Sequence, residues 1–209
     1  MDQKELKSLK TAAAKIRLGI LEGVHAAASG HPGGSLSIAE ILAYLYFKEM
    51  RIDPKNPKWA DRDRFVLSKG HTAPGLYAAL AERGYFDPAE LKMLRHIDGF
   101  LQGHPDMKMT PGVDMSTGSL ARGISAACGM ALAGKIDKKD YRVYTVVGDS
   151  ESEEGQLWEA AMIAAHYNLD NLCVILDWNG LQIDGPIAEV MDPTPHDKKF
   201  EAFGFTLYR

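Results

Sequence analysis

The chain has 209 residues, 45% hydrophobic and 25% charged, with a formal net charge of −4. That composition fits a globular domain with its own core rather than a disordered segment. The mild acidity argues against non-specific nucleic-acid binding, which needs a basic footprint, and no apolar run approaches the roughly 20 residues of a membrane span.

The opening MDQKELKSLK is charged and unlike a secretory leader. Cys128 and Cys173 give no disulfide framework and read as core residues, so a reducing cytoplasm is the expected setting. Leu6, Leu9, Ala13, Ile16, Ile20 and Val24 recur at helical spacing, which predicts a first helix to about Ala28. SGHPGGS stops it. IAEILAYLYFKEM predicts a second helix, with Ser35 or Ser37 as its N-cap. RFVLS reads as a strand ending at Lys69-Gly70-His71, and a helix follows from Ala73 to Arg83. Asp87-Pro88-Ala89-Glu90 opens another helical segment, with Asp as cap and Pro at the first position.

Phe100 to Ser119 is irregular, and a loop of that length is usually functional. Ser119 to Gly134 predicts a helix of small residues. Then YRVYTVV reads as a strand, EEGQLWEAAMIAAHY as a helix and NLCVILD as a strand. Pro186 to Pro195 reads as loop, and FGFTLYR as a last strand. Continuous apolar strands alternating with helices predict an α/β fold, a parallel sheet with helices on both faces. No linker or repeat divides the chain, so residues 1–209 are expected to form one module. Ligands of such sheets bind beyond the carboxyl ends of the strands. SKGH, GDSESEEG and DWNGLQIDG lie at strand ends, and SGHPGGS and STGSLARG are glycine-rich turns before helices.

Asp149 and Asn179 each follow a strand and would project at the same sheet edge. A carboxylate, an amide oxygen and backbone carbonyls make a hard oxygen site suited to Mg2+ or Ca2+. The helix after Asp149 would aim its free N–H groups at the same place, making a metal-bridged diphosphate seat. The same two residues suit a helix cap and a turn equally well. His31, His71 and His104 each lie in a glycine-containing loop, which suggests a polar pocket where imidazoles move protons or orient hydroxyls. His25, His96, His166 and His196 read as structural or surface residues.

Gly148-Asp149, followed at a distance by Asn179, is similar to the thiamine diphosphate motif of the transketolase superfamily. SGHPGGSLSIAEIL, RFVLSKGH, LQGHPDM, PGVDMSTGSL, EEGQLWEAAM and NGLQIDGP resemble transketolase in the same order. The likeness is greatest to the N-terminal subunit of enzymes made as two chains. It implies the thiamin diphosphate-binding fold, and a thiamine diphosphate- and Mg2+-dependent transfer of a two-carbon ketol unit between sugar phosphates, as in pentose phosphate metabolism. By the same resemblance Asp149, Asn179 and the Leu181 carbonyl would hold the ion. Gly148 and Ser150 would meet the diphosphate, Ile183 the thiazolium, and Gly118 and Leu120 other parts of the cofactor. His31, His71 and His104 would line the reacting centre, and Glu154 would join an acidic network linking paired sites in a homo-oligomer. Trp158 and Glu159 would serve packing or an interface. The family's pyrimidine-binding module has no candidate here, so a C-terminal partner subunit is implied.

Some positions depart from the family pattern. Ser150 stands in place of the second glycine of Gly-Asp-Gly; where φ is positive, its Cβ would cost about 1 kcal/mol, or its hydroxyl would donate to phosphate. Ala121 and Arg122 replace the central pair of Leu-Gly-Gln-Gly. Trp178 fills a position usually small or polar, and the chain is shorter than the family's module at its C-terminal end. An altered, non-catalytic module with weakened cofactor binding is therefore the alternative reading. A relative acting on other substrates, such as dihydroxyacetone synthase or deoxyxylulose-phosphate synthase, is a further one.

Overall fold

A computed structural model of the chain describes residues 1–208. Helix α1 (Gln3–Ala27) starts at Asp2, whose Oδ1 accepts from Glu5 N at 2.7 Å, and ends at Ala28 in the left-handed region with φ 47°. The next helical stretch begins earlier than expected. It opens as α2 (Pro32–Ser37), continues as α3 (Ala39–Tyr44) and widens into a π-turn over Leu45–Glu49. Neither Ser35 nor Ser37 caps it. Proline, with its fixed φ and no N–H, suits a first helical position, and Pro32 takes that place after His31. Ser35 Oγ instead donates back to His31 O at 2.7 Å, and Ser37 Oγ reaches across the molecule.

Strand β1 (Arg64–Leu67) leads through a 3-10 turn (Gly70–Thr72) into α4 (Ala73–Arg83). Asp87 caps the 3-10 segment Pro88–Met93, its side chain accepting from Ala89 N at 2.9 Å. Helix α5 (Arg122–Ile136) starts three residues later than expected, because Ala121 is left-handed with φ 61°. Strand β2 (Val143–Gly148), the 3-10 turn Ser150–Glu153, α6 (Gly155–His166) and β3 (Leu172–Asp177) follow. Then come a two-residue hairpin of β4 (Leu181–Gln182) and β5 (Gly185–Pro186), α7 (Ile187–Val190) and α8 (His196–Ala202).

The sheet is parallel, in the order β1-β2-β3. The fully buried β2 is its centre. Side chains alternate between two cores. Phe65, Leu67, Tyr144 and Val146 face α1, α3 and α4, whereas Val66, Val143 and Val147 face α5, α6 and Phe200 of α8. Both faces are thus covered, as parallel sheets require.

Further expectations fail, among them the loop from Pro186 to Pro195, which holds the short helix α7. FGFTLY is not a strand, and Arg209 lies outside the described residues. After α8, Gly204 turns the chain with φ 88° and Phe205 N donates to Phe200 O at 3.1 Å. This folds Phe205 and Leu207 onto the α5–α6 core instead of extending the sheet. Cys173 is exposed, because β3 is a sheet edge among the described residues; Cys128 is buried as expected. No helix among the described residues is long and apolar enough to cross a membrane.

Candidate functional site

Parallel pairing sets the two strand tips side by side. Gly148 of β2 is the register partner of Asp177 of β3. The residues after them therefore emerge together at the carboxyl edge of the sheet. Asp149 N donates to Asp177 O at 3.2 Å, and Asp149 Oδ2 accepts from Gly180 N at 2.7 Å. Asp149 Oδ1 accepts from Ser150 N at 2.8 Å, and Asn179 Oδ1 accepts from Leu181 N at 2.9 Å. Cap and turn geometry are thus both realised, on tips that are also neighbours. Asp149 is buried, while Asn179 is exposed.

The other loops converge on this edge. A Cβ on Gly34 would lie 2.8 Å from Thr72 Cγ2, 3.7 Å from His71 Nε2 and 3.8 Å from Lys69 Nζ. Gly70 passes so close to the Thr117–Gly118 peptide that a Cβ would clash at 2.8 Å. Gly118 lies under the ring of His104, at 3.2 Å from a built Cβ to Cδ2. His31 and His71 meet edge to face with centroids 5.1 Å apart. The loops that carry the three histidines thus lie together. Burial, then the positive charge of Lys69, holds the His71 imidazole down to about 4. Burial and Arg95 lower His31 as well.

Beneath these loops lies a polar layer that sequence reasoning misses. Lys69, only 2% exposed, pairs with Asp177, whose other oxygen accepts from Ser37 Oγ at 2.7 Å. Glu151 sits in a segment that looks like an acidic surface turn, yet it is buried. Its Oε1 accepts from Ser68 Oγ and from Ala121 N, both at 2.6 Å, and its Oε2 from Gly148 N at 3.0 Å. It ties the tips of β1 and β2 to the start of α5. Burial raises its carboxyl despite those three donors. The one signal in the sequence is position: Lys69 closely follows a buried strand, where a lysine is unusual without a partner.

Ser150 opens a 3-10 turn and is not among the residues with positive φ, so it carries no left-handed strain. Ala121 does, with φ 61° at a fully buried position. The cost for a non-glycine residue there is about 1 kcal/mol. Glu154 is exposed at the N-cap of α6. Leu181 and Ile183 project from the hairpin, 64% and 93% exposed. Leu120 is half-buried beside Ala121. Trp158 packs on Phe200 and Phe203 of the α8 region, and Glu159 is exposed. No group of three or more His, Cys, Asp or Glu among the described residues is arranged to hold a metal. The oxygen set offered by the tips is of another kind: one carboxylate, one amide and backbone carbonyls.

The family profile described as transketolase, thiamine diphosphate binding domain, matches residues 8–209. This chain belongs to that family. It is 52% identical over 190 residues to the 6-deoxy-6-sulfo-D-fructose transketolase subunit SqwG of Clostridium sp. (strain MSTE9), a match covering 91% of this chain and 69% of that protein. It is 41% identical to an apulose-4-phosphate transketolase subunit of Phocaeicola vulgatus, over 97% of this chain and 72% of that one. Human transketolase is 48% identical over 98% of this chain, which spans 33% of its length. Among solved structures, transketolase from Leishmania mexicana superposes with a TM-score of 0.89 at 35% identity, over 95% of this chain and 31% of that chain. This transketolase-family chain therefore corresponds to about a third of the single-chain enzymes and over two thirds of the separate subunits. Fold and family agree with the sequence reading.

Proposed function

We propose that this chain is the diphosphate-binding half of a two-chain transketolase. It would work with a partner subunit carrying the pyrimidine-binding module, and move a two-carbon ketol unit between sugar phosphates. The observation that carries this is the Asp149–Gly180 bond, which fixes two neighbouring strand tips at the carboxyl edge of a parallel sheet. Two relatives of which the chain spans over two thirds are named as transketolase subunits.

The residues suit the cofactor. The Asp149 carboxylate, the Asn179 amide oxygen and the Leu181 carbonyl form a hard donor set for Mg2+ or Ca2+. The Lys69 ammonium, paired with Asp177, lies behind Gly34, and its stem passes Gly148. When bound, thiamine diphosphate supplies the carbon centre that accepts and passes on the two-carbon unit. The protein's own part is orientation and proton handling. Gly148 and Ser150 would face the diphosphate, Gly118 and Leu120 the cofactor's side, and Ile183 the thiazolium. His71, neutral at pH 7, would orient hydroxyls, with His31 and His104 beside it. Glu154, exposed at the start of α6, is available to a second chain in a homo-oligomer.

A second reading keeps the fold but weakens cofactor binding, and Ala121 favours it through its strained φ. Calorimetric titration with thiamine diphosphate and Mg2+ separates the two. Micromolar binding supports the subunit reading, and no binding even with a matching partner subunit present supports the altered module. Ketol transfer on mixing with a matching partner subunit completes the test, and a substrate panel separates transketolase from its relatives.

A further inference from the structure

His196 reads from sequence as a structural or surface residue. It is 1% exposed and touches both arms of the proposed seat. On one side its Nε2 lies 2.9 Å from Ser152 Oγ. Ser152 Oγ in turn donates to the Asp149 carbonyl at 2.5 Å, and Ser152 N donates to the same oxygen at 3.0 Å. With the hydroxyl proton so used, the imidazole must donate, and Nε2 carries the ring proton. Nδ1 is buried and has no hydrogen-bond partner. On the other side the His196 ring meets Trp178 edge to face, with centroids 5.1 Å apart. Trp178 directly precedes Asn179.

Helix α8 holds the histidine firmly. Phe200 is buried against the α5–α6 core, and Trp158 stacks on Phe203 with centroids 5.9 Å apart. The same Trp158 donates Nε1 to Ser152 O at 2.9 Å. Ser152 is thus gripped at both its carbonyl and its hydroxyl, each time by a residue locked into α8 or packed against it.

We propose that His196 is a positioning residue for the metal–diphosphate seat, holding Asp149 through Ser152 and Asn179 through Trp178 at a fixed mutual spacing. This rests on the function proposed above. Beyond the end of the ladder, where Asp149 N meets Asp177 O, the Asp149–Gly180 bond holds the Asn179 turn to the β2 tip. A third point of support from α8 restrains the tips further, as a precise site demands. The link runs through a donated hydrogen bond, so its loss and its rescue are both defined: leucine lacks the donor, and glutamine carries an N–H at a similar reach.

The test uses the full chain with H196L, S152A and H196Q, each checked for an intact cooperative melt. Hydrogen exchange is read without ligand over residues 149–155 and 178–183, where the Gly180 amide reports the Asp149 bond. Exchange there is expected to quicken about tenfold in H196L and S152A, with no further gain in the double variant, and to return to within about twofold of wild type in H196Q. Affinity for thiamine diphosphate at fixed Mg2+ should fall in parallel, about tenfold, and recover in H196Q. Unchanged exchange in S152A and H196L overturns the proposal whatever the cofactor does. So does quickened exchange with unchanged affinity. A wild-type chain that binds no thiamine diphosphate even when mixed with a matching partner subunit overturns the functional reading and this role with it, an outcome distinct from the other two.

Discussion

The Asp149 carboxylate and the Gly180 amide are 31 residues apart in sequence and 2.7 Å apart in space. That bond closes the gap between the tips of β2 and β3. Asp149→Ala removes the acceptor for both Gly180 N and Ser150 N. It should destabilise the ligand-free chain by about 1–3 kcal/mol, measured by urea unfolding. Asp149→Asn keeps one acceptor oxygen but turns its amide N–H toward the other donor, and should cost a comparable amount, about 2–3 kcal/mol. Its Mg2+-dependent affinity for thiamine diphosphate should still fall at least about tenfold, because the ion loses its only proposed carboxylate.

Glu151 accepts from three donors, two on one oxygen and one on the other. In Glu151→Gln the amide nitrogen must face at least one of them, setting donor against donor. A loss of about 2–3 kcal/mol is expected. Equal stability of E151Q and wild type in denaturant titration would count against Glu151 as the link between β1, β2 and α5.

Lys69→Met strands the Asp177 carboxylate in a buried layer with Ser37 as its neighbour. Breaking a buried pair from one side costs about 3–5 kcal/mol. The double variant K69M/D177N, which removes both charges, should be less destabilised than the sum of the two single changes. Additive losses in a double-mutant cycle would show that the two groups do not interact.

His71 should titrate near pH 4 rather than near its ordinary 6.5. The folded state disfavours the charged imidazole, so its contribution to stability is intact above pH 6.5 and is lost as pH falls from there through about 4. Glu151 acts with the opposite sign: its raised carboxyl favours the folded state as pH falls, so a global stability curve would blend the two. The decisive measurement is the His71 ring chemical shift against pH. A midpoint near 6.5 would contradict the half-buried position of the ring beside Lys69.

Much of the architecture was legible in the sequence. Continuous runs such as RFVL and VYTVV announce buried parallel strands, and the place of Asp149 and Asn179 at strand ends follows from that alone. The three histidine loops meet at one edge, as their shared glycine-rich context suggests. What escaped were long-range polar pairings. Ser37 and Asp177 are 140 residues apart, Lys69 and Asp177 108, and no local pattern marks either. Glu151 was hidden by its neighbours Glu153 and Glu154, which are exposed. FGFTLY has strand composition, but its aromatics satisfy a helix-side core instead, a tertiary choice that alternation cannot reveal.

The central strand β2 has a consequence for how ligand and fold are coupled. On the proposed function, its tip becomes a site only after β1 and β3 have docked on either side, contributed by segments far away along the chain. Cofactor binding should then report only chains whose three strands are all in place. A ligand-induced rise in melting temperature would then serve as an assay of native assembly, counting the molecules in a preparation that have finished folding.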